Sequence, residues 1–100
     1  MEKRVPHCRL SKVNALFEAG QVRTTVAALV GGAALGLDFD QMMEAVHNLA
    51  TTDFYKSMTT HSDHRIWQDV YRPFTKAGWI YLKLTVIDDL LIVSFKELQA

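Results

Sequence analysis

The feature that most constrains the fold is a change of hydrophobic period about halfway along the chain. Between residues 79 and 87 the even-numbered positions are all apolar, whereas the odd-numbered positions include Tyr81 and Lys83. A period of two is typical of a strand with one buried face. The segment therefore predicts a long strand whose second face is polar.

A second apolar run, residues 90–96, follows Asp88 and Asp89, which form a plausible two-residue turn. Together the two runs predict an antiparallel hairpin, because a slip of one residue would exchange buried and exposed faces. The predicted pairs are Leu84–Val93, Leu82–Phe95, Lys83–Ser94 and Tyr81–Lys96.

The first half of the chain has the period of helices. Helical spacing predicts a first helix over about residues 10–19, stopped by Gly20, and a second from about Thr25 to Leu35. Gly31-Gly32 weakens the middle of the second helix. Asp38 caps a third helix. The residues expected to face inward from it are Phe39, Met42, Met43, Val46 and Leu49.

Two earlier strands are expected over about Asp53–Thr60 and Ile66–Arg72, followed by a turn over Pro73–Gly78. If that turn pairs Arg72 with Trp79, Gln68 lies opposite Lys83. The predicted fold is α+β, a single domain over residues 1–100 in which helices pack on one face of an antiparallel sheet. The open face would carry Lys56, Met58, Gln68, Arg72, Tyr81, Lys83 and Lys96.

Charge is segregated along a chain whose formal net charge is zero. Residues 1–23 and 54–87 each carry +3, residues 24–53 carry −4, and residues 88–100 carry −2. Zero net charge argues against a generic nucleic-acid binder, but the segments that form the predicted sheet are basic.

The single cysteine, Cys8, excludes an intrachain disulfide, as suits a reducing cytosol. The N-terminus lacks the apolar region of a signal peptide, and no apolar run reaches the length of a membrane span. We expect a cytoplasmic protein.

The predicted open face has cations, an amide and a phenol, and no carboxylate. A solvated polar face is the ordinary alternative. This composition also suits a phosphodiester, and RNA can be cleaved without a metal because its 2′-hydroxyl is an internal nucleophile. Lys and Arg would stabilise the transition-state charge, and a Tyr or Lys would transfer the proton.

Several sequence blocks resemble the motility quorum-sensing regulator (MqsR) toxins, and the resemblance runs from Met1 to about Glu97. The blocks are Gly20–Thr25, Leu35–Asp40, Asp53–Thr60, Ser62–His64, Ile66–Pro73, Tyr81–Lys83 and Leu91–Lys96. The resemblance implies a RelE-like fold and a ribosome-independent, metal-independent mRNA interferase of a type II toxin–antitoxin system. Such toxins cleave single-stranded mRNA at short GC-containing sites such as GCU and inhibit translation.

The family's functional lysine, glutamine and tyrosine fall on Lys56, Gln68 and Tyr81. The hypothesis is that Tyr81 transfers the proton, Lys56 neutralises the phosphorane and Gln68 orients the phosphate, with the roles of Lys56 and Tyr81 left open to exchange. The residues expected to bind RNA are Arg72, Lys83, Lys96, Met58 and Trp79, the last by stacking on a base.

The implied partner is an antitoxin with a zinc-binding N-terminal domain and a helix-turn-helix C-terminal domain, so that promoter DNA is contacted only through the antitoxin. No membrane partner and no cofactor are expected. His61 and His64 fall short of a zinc set, and no metal site is predicted. The alternative function is a non-catalytic RNA-binding or protein-interaction regulator that acts with the antitoxin.

Overall fold

The structure is a computed structural model that describes residues 1–99. In chain order the elements are β1 (Glu2–Lys3), α1 (Leu10–Glu18), β2 (Val22–Thr24), α2 (Val26–Ala34), α3 (Phe39–His47), a 3-10 turn (Thr51–Asp53), β3 (Phe54–Thr59), β4 (Trp67–Tyr71), β5 (Phe74–Thr75), β6 (Gly78–Ile87) and β7 (Asp89–Glu97). The predicted helices and the four long strands are confirmed. The short strands β1, β2 and β5 were not predicted.

Within residues 1–99 the strands form one sheet in the order β1-β3-β4-β6-β7-β2, and β5 pairs with β6 beside it. Only the β2–β7 pair is parallel among them. The four predicted strands form the centre, and two short strands form the edges. The α+β class is therefore confirmed.

The β6–β7 hairpin confirms three of the four predicted pairs, with Leu82 opposite Phe95 in the core. The fourth pair was wrong, because Leu84 lies opposite Ile92 and Val93 is an extra residue in β7. The bulge has a structural use: the Val93 carbonyl accepts a 2.7 Å hydrogen bond from the Thr25 hydroxyl at the start of α2.

The hairpin turn is tighter than the predicted two residues. Asp88 alone separates the paired residues Ile87 and Asp89, and its φ is 66°. Aspartate tolerates this left-handed conformation better than most residues. The Asp89 carboxylate pairs with the Arg23 guanidinium, which ties β2 to the start of β7.

The register of β4 against β6 differs from the predicted one by two residues. Val70, rather than Gln68, lies opposite Lys83. The predicted Pro73–Gly78 turn is wrong because β5 continues the pairing, with Thr75 opposite Gly78, so that only two residues form the turn. A shift of two preserves the side-chain parity, so the residues keep their predicted faces.

Helix α2 runs unbroken through Gly31 and Gly32, and packing explains both glycines. A Cβ atom on Gly31 would overlap the backbone carbonyl of Phe95 in β7, and one on Gly32 would overlap the Met42 side chain of α3. The helix begins at Thr25, whose hydroxyl oxygen accepts from the Ala28 amide. Gly31 and Gly32 therefore lower the helix propensity of α2, but they allow the helix to lie close to the sheet and to α3.

Asp38 caps α3 as predicted, in a reciprocal arrangement with Gln41. Met42, Met43 and Val46 are buried, as expected. The inward placement of Phe39 was wrong, because its side chain is 50% exposed. Phe39 shares the helical face of Met42, Met43 and Val46, but it is the first residue of α3 and lies at the end of the helix.

The core lies between the helices and one face of the sheet. The buried apolar sheet residues of that face are Tyr71, Ile80, Leu82, Leu84, Leu90, Ile92 and Phe95. These join one cluster with Val13 and Leu16 of α1 and Met42 of α3. No single helix within residues 1–99 has the length and apolar character to cross a membrane; α2 and α3 together meet that test by length and composition only, across a 99° bend.

Candidate active site on the open face of the sheet

Three central strands bring cations together on the face that the helices leave open. Lys56 of β3, Val70 of β4, Lys83 of β6 and Ser94 of β7 form one row of paired residues. Neighbouring strands are about 4.8 Å apart, so the backbones of Lys56 and Lys83 are separated by roughly 10 Å. Long lysine side chains can converge over that span on one phosphate group.

Tyr81 lies one row further along the same face, directly opposite Lys96. The Lys96 ammonium is 5.2 Å from the centroid of the Tyr81 ring. Arg72 lies one residue beyond the Tyr71–Leu82 pair, which places it opposite Tyr81. A cavity of about 410 Å³ includes Tyr81, Lys96 and Arg72 in its lining.

Tyr55 is a residue of this site that the sequence did not reveal. A bulge in β3 between Phe54 and Lys56 releases Tyr55 from regular pairing. The Arg72 guanidinium lies 3.7 Å from the Tyr55 ring centroid, and the Lys56 ammonium lies 5.4 Å from it. The ring also lines the Tyr81 cavity. It therefore holds Arg72 in place by a cation–π contact.

Gln68 and Met58 pair with each other between β4 and β3, one row beyond Lys56 on the side away from Tyr81. Gln68 is thus the diagonal neighbour of Lys56, and such neighbours are about 7–8 Å apart. Neither residue lines the Tyr81 cavity. The structure places the predicted trio on one face, with Lys56 between Gln68 and Tyr81.

The expected absence of carboxylates was wrong, because Glu2 reaches this face from β1. Its Oε1 accepts a 2.6 Å hydrogen bond from the Lys56 ammonium. The hydrogen bond and charge of Glu2 raise the pKa of Lys56, and Lys56 in turn lowers the pKa of Glu2. The Lys56 side chain is only 19% exposed, and the Tyr55 and Tyr81 phenols also raise its pKa.

Lys83 differs from Lys56 in its environment. Burial lowers the pKa of Lys83, and the nearby Lys96 charge lowers it further. Within residues 1–99, Arg72, Lys83 and Lys96 form no ion pair, so their charges face the open side of the sheet uncompensated.

Trp79 lies at the far end of β6, outside the Tyr81 cavity. Its ring meets Phe74 of β5 edge to face, with centroids 5.1 Å apart, and the two side chains are 56% and 68% exposed. Trp79 lines a neighbouring cavity of about 380 Å³ that shares Arg72 with the first. The sequence pattern predicts a turn at Phe74, which the structure places in β5.

The remaining candidate residues lie elsewhere. His61 and His64 are exposed in the β3–β4 loop. Across residues 1–99, His, Cys, Asp and Glu side chains form no group of three that could hold a metal ion. Trp67 stacks on His7, and Tyr71 is buried in the core.

This fold and site define a small α+β protein with a cationic, phenol-containing sheet face suited to a phosphodiester. Residues 5–97 match the family described as motility quorum-sensing regulator, toxin of MqsA. The mRNA interferase toxin MqsR of Escherichia coli (strain K12) is 64% identical over 97 residues, which span 97% of this chain and 99% of that protein. The chain belongs to the MqsR toxin family, and the resemblance of its sequence blocks is confirmed.

Proposed function

We propose that this chain cleaves single-stranded mRNA at the open face of its sheet. As an MqsR toxin it is an endoribonuclease of the mRNA interferase class. The active site is proposed on this face because three strands bring Lys56, Arg72, Tyr81 and Lys83 together where no helix covers the sheet. This face offers several positive charges and a phenol where an RNA phosphate can bind.

In the proposed reaction the 2′-oxygen attacks the adjacent phosphorus and the bond from phosphorus to the 5′-oxygen breaks. Lys56 neutralises the charge that builds on the phosphorane oxygens, and Gln68 orients the phosphate by hydrogen bonding. Tyr81 transfers a proton at the reacting oxygens. The products are a 2′,3′-cyclic phosphate and a 5′-hydroxyl, and the protein residues complete this reaction without a cofactor.

Flanking nucleotides bind to the groups around this centre. Arg72, Lys83 and Lys96 contact neighbouring phosphates, because Arg72 and Lys96 line the Tyr81 cavity and Lys83 lies near Lys96. Trp79 offers an exposed ring for a base beyond Arg72, and Met58 packs against a base on the opposite side.

The family also supports proposals about sequence preference and partners. We expect cleavage at short GC-containing sites such as GCU, in the cytoplasm, where mRNA is translated. The family description names MqsA as the partner of the toxin. The proposed partner here is an antitoxin with a zinc-binding N-terminal domain and a helix-turn-helix C-terminal domain, through which alone the toxin is recruited to promoter DNA.

The test is cleavage of an unstructured RNA that contains GCU, without ribosomes and in excess EDTA. Lys56→Ala should lower the single-turnover rate by about 100-fold or more. Lys12→Ala is the matched control, since Lys12 is an exposed lysine on α1, away from the open face. Its rate should equal that of the wild type.

The alternative, a non-catalytic regulator, predicts a different result in the same assay. Wild-type protein would then shift the RNA in a binding assay and leave it intact. Cleavage by Lys56→Ala at the wild-type rate would contradict the proposed site while leaving the endoribonuclease activity in place.

A further inference from the structure

The proposed trio of Lys56, Gln68 and Tyr81 lacks one chemical function. Attack by the 2′-oxygen requires a group that accepts its proton. Lysine and tyrosine side chains ordinarily hold their protons at neutral pH, with pKa values of about 10, and an amide is not a base. The pKa of Lys56 is raised further by its surroundings. The site therefore needs a base from outside the trio.

Glu2 supplies an unprotonated carboxylate at this place. It is held on β1 by pairing with Met58 of β3, and the Thr59 amide donates a 3.0 Å hydrogen bond to the Met1 carbonyl. The Glu2 side chain is 52% exposed, so a substrate can reach it, and its Oε1 is 2.6 Å from the Lys56 ammonium. The charged groups that act on it are Lys56, Arg4 and the N-terminal amine, all positive.

We propose that Glu2 is the general base of this endoribonuclease, a role that rests on the proposed function of the open face. The 2′-oxygen of RNA lies next to the phosphate that Lys56 binds, so a carboxylate in contact with Lys56 reaches the 2′-hydroxyl. Glu2 Oε1 takes the 2′-proton as the bond from the 2′-oxygen to phosphorus forms. Tyr81 gives its proton to the leaving 5′-oxygen as the bond to phosphorus breaks. Exchange with water then returns both groups to their starting states.

Two other groups compete for this role, and the structure favours neither. Glu97 borders the Tyr81 cavity, but it pairs with Ile80, whose side chain is buried on the helix-covered face. By strand alternation the Glu97 side chain points away from Lys56. Lys83 has a lowered pKa, but a lysine ordinarily carries its proton at neutral pH, whereas a carboxylate does not.

Glu2→Gln tests the proposal, because the amide keeps the shape and can still accept a hydrogen bond from Lys56. In protein without an N-terminal tag, we expect the single-turnover rate at neutral pH to fall by about 100-fold or more. RNA affinity should be unchanged or higher, since no carboxylate competes for Lys56. The rate of the variant should also rise about tenfold per pH unit between about pH 5 and pH 8, because hydroxide replaces the missing base.

A second variant separates a base from a merely structural residue. Glu2→Ala should regain activity when acetate is added, and formate, the weaker base, should restore less at equal concentration. Chloride at the same ionic strength should restore nothing. Rescue by acetate requires that a carboxylate accept a proton at the position that the truncation opens.

Four outcomes would overturn the proposal. Glu2→Gln could match the wild-type rate, which would leave Glu2 a structural partner of Lys56. It could exceed that rate, which would make Glu2 a competitor of the phosphate. Glu97→Gln could lose activity while Glu2→Gln does not, or acetate could fail to rescue Glu2→Ala. In each case a loss of activity in Lys56→Ala would show that the proposed site itself still holds.

Discussion

The two faces of the central sheet are built from the same strands and respond to different constraints. On strand β6, Leu82 points into the core and is fully buried, while its neighbour Lys83 points to the open face. The residues of the covered face are constrained by packing, so apolar substitutions that keep the total volume are tolerated there. The open face keeps unpaired cations close together, an arrangement that adds no stability and that binding of a phosphate would explain.

Truncation of the two neighbours on β6 should separate the two faces most clearly. Leu82→Ala should lower the free energy of unfolding by about 2–5 kcal/mol, because it leaves a cavity in the core. Lys83→Ala should change it by less than about 1 kcal/mol and should weaken RNA binding. Urea denaturation measures the first quantity, and a mobility-shift titration measures the second. Equal losses of stability in both variants would show that the open face is structural.

The exposed aromatic pair, Trp79 and Phe74, should affect RNA binding and not stability. Trp79→Ala should raise KM for RNA by about 10-fold, because stacking on a base contributes roughly 1–3 kcal/mol. Phe74→Ala should act in the same direction, since Phe74 holds the Trp79 ring edge to face. Ile87→Ala is the control, a half-exposed apolar residue at the other end of β6. An equal effect at Ile87 would mean that the Trp79 ring is not a subsite.

The salt dependence of RNA binding tests whether RNA is attracted by a few cations on the open face or by the charge of the whole protein. Net charge is zero, and Lys56 is paired with Glu2, so Arg72, Lys83 and Lys96 remain as free cations. We expect a slope of about −2 to −4 in a plot of log affinity against log salt. A slope near about −10 would require long-range attraction that this neutral chain does not supply.

The smallest expected effect is a pH dependence of stability at Lys83. Its folded pKa lies below the ordinary value of 10.5, so the unfolded chain binds the proton more tightly in the range between the two values. The free energy of unfolding should therefore rise with pH in that range. Relative to Lys83→Met, the wild type should gain stability as the pH rises towards 10.5 in urea titrations. A constant difference would mean that Lys83 is fully solvated.

The sequence was sufficient to predict that Lys56, Gln68, Arg72, Tyr81 and Lys83 share the open face, because strand parity survives a register error of two residues. The β4–β6 register was off by two residues, and Gln68 and Arg72 still fell on the predicted side. Parity could not reveal which neighbours face each other. That depends on where the β5–β6 turn closes, and the prediction centred the turn one residue too early, which shifts the register by two.

Hydrophobic periodicity could not predict that Glu2 and Tyr55 lie on the open face. A two-residue strand such as β1 has no detectable period, so nothing in the sequence placed Glu2 beside Lys56. Tyr55 sits in a bulge, which changes the side to which a residue points. Both therefore depend on pairing between segments distant along the chain, and Glu2 reverses the expectation of a face without carboxylates.

Single-turnover cleavage by Tyr81→Phe tests whether the open face is the active site. The variant removes one hydroxyl and keeps the ring that contacts Lys96. We predict a fall in rate of about 100-fold with an unchanged melting temperature and unchanged RNA affinity. Cleavage at the wild-type rate would contradict the role of Tyr81 in proton transfer and, with it, this account of the site.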